Sequence, residues 1–201
     1  MKKIIKKLWL PILLSVILTA VLYILPVNGE REIYDKVIRL HVIANSDSER
    51  DQALKLKVRD AILKKVSAYT EGCADRNEAE AEIAAHTDEI KTEAEKTLRE
   101  NGCELAVTVK LGTENYPTRE YGDVRLPAGD YCSLRVMIGE AEGQNWWCVL
   151  FPPLCTGAAS ASEELISAGF TPDEVRILTD SDSPEYILKF RILEILESLF
   201  S

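Results

Sequence analysis

The chain has 201 residues, with 24 Lys and Arg against 33 Asp and Glu, and a formal net charge of −9 at pH 7. So acidic a balance argues against nucleic acid as a partner and against electrostatic attachment to anionic lipid. About 170 residues follow the first 29, a length that suits one domain with a proper core.

The chain opens MKKIIKKLWLPILLSVILTAVLYILPVNG. Lys2, Lys3, Lys6 and Lys7 precede an apolar run from Leu8 to Val27. That run is about 20 residues, enough to cross a hydrocarbon core of roughly 30 Å as a helix. Positive charge lies before it and Glu30 and Glu32 after it, so the positive-inside rule sends the remainder across the membrane. Residues 1–29 are expected to be a signal or anchor segment and residues 30–201 one extracytoplasmic domain. The run exceeds the signal-peptide core of about 7–15 residues, which favours an anchor, while Val27 and Gly29 offer a poor cleavage site. Retention and cleavage both stay open. Setting the four lysines aside leaves 20 basic against 33 acidic residues, or −13 for the exported part.

Val37 to Ala44 reads as a strand, with Ile38, Leu40, Val42 and Ala44 on one face and Arg39 and His41 on the other. Ser46 and Glu49 have the spacing of a capping box. A helix then runs to about Tyr69, its apolar stripe being Leu54, Val58, Ala61, Ile62, Val66 and Tyr69. A second helix is expected to be continuous from Arg76 to Glu100, with Asn101-Gly102 closing it. Glu104 to Leu111 alternates as a strand, and NYPTREYGDVRLPAGD reads as a long polar loop. Tyr131 to Ile138 and Trp146 to Phe151 read as two further strands joined by GEAEGQ as a hairpin loop. Pro152-Pro153 ends the sheet. One short helix is expected near Ser162 to Ala168 in the small, polar stretch from Thr156 to Ser183. Pro184 opens a last helix. This order predicts an α+β fold: an N-terminal membrane helix, then one domain with a largely antiparallel four-stranded sheet and three main helices packed on it.

The chain carries no GxSxG, no HExxH and no glycine-rich phosphate loop. No catalytic residue, metal, cofactor or small-molecule substrate is expected. The alternative is an extracytoplasmic, hydrolase-like enzyme built on His41, Asp47 and Asp60, which a pocket joining those side chains would favour. Against it, Asp47 and Asp51 suit the positive end of a helix. Asp60 flanks the apolar stripe, within reach of Arg39 or His41 if the strand packs beside it. The five cysteines are Cys73, Cys103, Cys132, Cys148 and Cys155. An odd count outside the membrane permits a disulfide and leaves at least one thiol unpaired or paired with another chain. No spacing is CxxC, so neither a zinc ribbon nor a thioredoxin-like site is suggested. A continuous helix of about 37 Å would keep Cys73 and Cys103 apart. Cys148 and Cys155 bracket VLFPPL, where two prolines turn the chain back, and form the candidate pair; two buried thiols are the alternative.

Three segments carry a resemblance: IRLHVIANSDSERDQALKLKVRDAIL from Ile38 to Leu63, YPTREYGDVRLPAGDYCSLRVMIGEAEGQNWWCVLFPPLC from Tyr116 to Cys155, and, less specifically, YILKFRILEILESLF. They resemble the stage II sporulation protein R family. The resemblance implies a protein exported from the forespore into the space between forespore and mother cell, anchored by its N-terminal helix or released. There it would trigger a membrane-embedded aspartic protease that processes the pro-sigma-E factor, while supplying no catalytic group itself. Polar residues of the two signature segments exceed what folding requires. Arg39, His41, Asn45, Asp47, Arg59, Arg119 and Tyr121 are the partner-binding candidates, against the alternative that each bridges or caps inside the fold.

Overall fold

The structure is a computed structural model that describes residues 9, 11, 13–16, 33–155 and 161–179. The chain divides into two units, Met1–Arg31 with Tyr186–Ser201, and Glu32–Glu185. In the first, residues 9, 11 and 13–16 are helical. Among the described residues no helix is long and apolar enough to cross a membrane. The rest of segment 1–29 and the helix expected from Pro184 lie outside the described residues.

Among its described residues the second unit contains six strands: β1 (Ile38–Ile43), β2 (Val107–Tyr116), β3 (Arg119–Tyr121), β4 (Val124–Leu126), β5 (Gly129–Ile138) and β6 (Asn145–Phe151). Its helices are α1 (Glu49–Thr70), α2 (Arg76–Ala85), α3 (Thr87–Glu100), α4 (Ala161–Ser167) and α5 (Pro172–Thr179). β1 is buried along its whole length and paired on both edges, in a sheet ordered β2-β5-β1-β6. It runs parallel to β5, with Leu40 opposite Leu134, and antiparallel to β6, with Leu40 opposite Cys148. β2 and β5 are antiparallel. The sheet is therefore mixed, not largely antiparallel. GEAEGQ is not a hairpin loop either: it carries the chain over the end of β1, which sits between β5 and β6.

Leu54, Val58, Ile62 and Val66 of α1 are buried as their spacing predicts, over the sheet face that presents Leu40 and Val42. The N-cap of α1 is Ser48, whose hydroxyl accepts from Asp51 N at 3.2 Å, rather than the Ser46–Glu49 box. The expected long second helix is two helices broken at His86. There the His86 ring stacks on Tyr69 of α1, with centroids 4.0 Å apart, and the Thr87 hydroxyl donates to the carbonyls of Ile83 and Ala84. These contacts satisfy a helix end that a pattern of small and charged residues does not announce. The break removes the rod that was to hold Cys73 and Cys103 apart, yet both are free thiols.

The segment expected to be a polar loop extends β2 to Tyr116 and then forms the β3–β4 hairpin, with Tyr121 opposite Val124. Val124 and Leu126 are fully buried. Three-residue strands with charged residues between their apolar ones give too short an alternation to register as strands. α5 packs against β4, and Glu174 on α5 bonds Lys36 at 2.8 Å.

Candidate functional site

Side chains alternate across a strand, so Arg39 and His41 of β1, Tyr131 and Ser133 of β5, Glu114 and Tyr116 of β2, and Trp147 of β6 share the face turned away from α1. Arg39 is fully buried there. Its guanidinium lies 4.3 Å from the Tyr116 ring centre, 4.8 Å from that of Tyr131 and 5.3 Å from that of Tyr121. Nη2 donates to Tyr121 Oη at 2.6 Å, while Nε and Nη1 have no hydrogen-bond partner. The cation faces aromatic rings where a carboxylate would be usual. Beside it, Ser133 Oγ donates to Glu114 Oε2 at 3.0 Å, so the Tyr116 hydroxyl donates to Ser133 at 2.7 Å. Burial pushes the Tyr116 and Tyr121 hydroxyls to pKa values above the usual phenol range, which keeps both as donors. His41 Nδ1 bonds Glu114 Oε1 at 2.8 Å, and its Nε2 lies 2.7 Å from Asn145 Oδ1.

Two further candidates hold the crossover. Asn45 Oδ1 accepts from Glu140 N, and its Nδ2 donates to Asp51 Oδ2 at 2.8 Å. Asp47 Oδ1 accepts from Gln144 N at 2.7 Å. With the backbone bonds from Glu142 N to Asn45 O and from Gly143 N to Ala44 O, these tie the 139–144 segment to the end of β1. The hydrogen bonds from Asn45 and Ser46 hold the Asp51 carboxyl below its usual pKa range.

The remaining candidates meet at the β6 edge. Arg59 of α1 stacks on Trp146 at 4.4 Å and Arg119 of β3 on Trp147 at 4.1 Å. Arg59 also binds its neighbour Asp60. Both stacks line a groove of about 590 Å³, with Tyr121 and Leu63 on its walls and the Cys148–Cys155 disulfide at its end. The two tryptophans were not among the candidates. Two adjacent aromatic residues on a strand place one ring on each face of the sheet, and that was the available signal.

The seven candidates thus fall into three groups. Arg39 and His41, on the strand face opposite Leu40 and Val42, are both buried, so changing either disturbs the interior of the fold. Neighbouring elements explain this: Tyr121 of the β3–β4 hairpin packs on Arg39, while His41 is enclosed by Glu114 and Tyr116 of β2 and by Asn145 and Trp147 of β6. Asn45 and Asp47 anchor a turn. Arg59, Arg119 and Tyr121 border the groove. His41, Asp47 and Asp60 do not form a joint site, since their partners are Glu114 and Asn145, Gln144 and Gln52, and Arg59, respectively. Among the described residues no group of three or more His, Cys, Asp or Glu is placed to hold a metal ion.

Residues 34–161, from just before β1 to the start of α4, match the family described as Stage II sporulation protein R. The curated Stage II sporulation protein R of Bacillus subtilis (strain 168) is 40% identical to the chain over 121 residues, which is 60% of this chain and 54% of that protein. The chain thus matches about half the length of this curated relative. No solved structure gives a significant match. With the family match covering the whole mixed sheet and its three packed helices, the chain belongs to the stage II sporulation protein R family.

Proposed function

We propose that the chain is an exported signalling protein of sporulation, acting between forespore and mother cell as an activator of a membrane-embedded aspartic protease that processes pro-sigma-E. The observation that carries this reading is the family match over residues 34–161, which spans the sheet and the groove at its edge. A disulfide between Cys148 and Cys155 suits an oxidising compartment outside the cytoplasm. On this reading the protein contributes a binding surface and no catalytic group. The test is reconstitution: the full chain is added to the protease in membranes with its pro-sigma substrate, and cleavage is followed. Cleavage that depends on the added chain is expected. Cleavage unaffected by it would end the activator reading.

A further inference from the structure

β6 is an edge strand, and among the described residues it pairs only with β1. Val149 N–H points away from β1 and donates to Cys155 Sγ at 3.2 Å. Outward-facing backbone groups alternate along an antiparallel strand, so those of Trp147 and Asn145 face the same way. The disulfide loop therefore closes the edge at Val149 and leaves it open at Trp147 and Asn145. An open edge is a template for an added strand.

The groove along this open part carries its own chemistry. Arg59 is neutralised by Asp60, whereas Arg119 has no ion-pair partner among the described residues, and its buried Nε has no hydrogen-bond partner. Glu120 also borders the groove but makes no ion pair with Arg119. A guanidinium held against the Trp147 ring without a counter-charge is prepared for a carboxylate, which its planar fork can bind through two hydrogen bonds. Trp146 is 37% exposed and offers an apolar anchor on the other side of the edge. The two arginines of the groove are matched in number by Asp60 and Glu120, so selection of an acidic segment over a basic one rests on the unpaired Arg119 guanidinium rather than on a net positive groove.

We propose that the β6 edge receives an extended acidic segment of the partner protein, added as a further strand, with one of its carboxylates paired to Arg119. This rests on the activator reading and names the surface that would serve it.

The test uses the full chain and overlapping short synthetic peptides covering the extracytoplasmic segments of the protease. Capture of a peptide containing Asp or Glu is expected, with affinity reduced at least about tenfold by Arg119→Glu, by replacing the peptide acid with its amide, or by N-methylating the peptide backbone. Arg119→Glu should bind better to a peptide whose acid is replaced by Lys, a gain that misfolding cannot produce. Failure to capture any peptide, or binding indifferent to Arg119→Glu and to N-methylation, would overturn the proposal. Cleavage assays separate the two readings. If the unaltered chain triggers cleavage and Arg119→Glu triggers it equally, the groove is overturned and the activator reading stands. If the unaltered chain triggers none while peptides bind as described, the groove stands and the activator reading falls.

Discussion

Arg39 spends its charge inside the fold, and that decides what its substitution does. Arg39→Ala removes a cation held by three tyrosine rings and leaves the Tyr121 hydroxyl without its partner. A buried cavity with the loss of desolvated cation–π contacts costs about 2–4 kcal/mol. Urea unfolding should show that loss for Arg39→Ala and a smaller one, about 1 kcal/mol, for Tyr121→Phe. A value near zero for Arg39→Ala would return the residue to the surface. Asp51 makes a second prediction, on pH. Its carboxyl is held below its usual pKa range by Asn45 and Ser46, so its folded pKa lies below its unfolded one. Such a group stabilises the fold above the unfolded pKa and loses that contribution as pH falls through the folded value. Asp51→Asn should therefore be less stable than the unaltered chain at neutral pH, with the gap narrowing as pH falls below about 4. Urea midpoints of both proteins across that range would measure it, and a gap that stays constant or widens toward acid would refute the assignment.

At the scale of the elements, the 139–144 crossover is the piece that makes the sheet mixed. It can pass over β1 only by lying close to the β1–α1 loop, and Gly143 makes that approach possible. A Cβ there would run into the backbone carbonyl of Ser46. Backbone cannot give way as a flexible side-chain end can, so Gly143→Ala should cost about 1–3 kcal/mol. The control is Gly112→Ala on β2, where an added Cβ meets nothing within 4 Å. Thermal unfolding of the two variants side by side should lower the melting temperature only for Gly143→Ala. Equal melting temperatures would mean that the crossover sits further from the loop. His86 plays a comparable role between α2 and α3, where stacking on Tyr69 fixes the break in what periodicity reads as one helix.

For the whole molecule, the Cys148–Cys155 disulfide links β6 to the segment that follows it. Closing so short a loop in the unfolded chain contributes on the order of 2 kcal/mol. The disulfide-bonded protein should therefore lose about that much stability on reduction, and Cys148→Ser with Cys155→Ser should show the same loss without reductant. Peptide mapping without reduction should recover the two cysteines joined, with Cys73, Cys103 and Cys132 as free thiols. Unchanged unfolding midpoints after reduction would show that the bond is not formed.

Periodicity in the sequence was enough to determine β1, α1 and the cores of β5 and β6, because each has an apolar spacing long enough to outweigh its polar neighbours. The family resemblance was legible in the same stretches. What lay beyond the sequence were relations between elements. A strand pattern does not say whether one face or both are covered, so it left open that Tyr121 of the hairpin packs on Arg39 and that β2 and β6 side chains enclose His41. A short connection between two strands does not say whether a third lies between them, so GEAEGQ read as a hairpin until β1 took the centre of the sheet. The groove belongs to the same class. Arg59, Arg119, Trp146 and Trp147 come from three elements distant in sequence, and only the packing of α1 and the hairpin on either side of β6 brings each cation onto its ring.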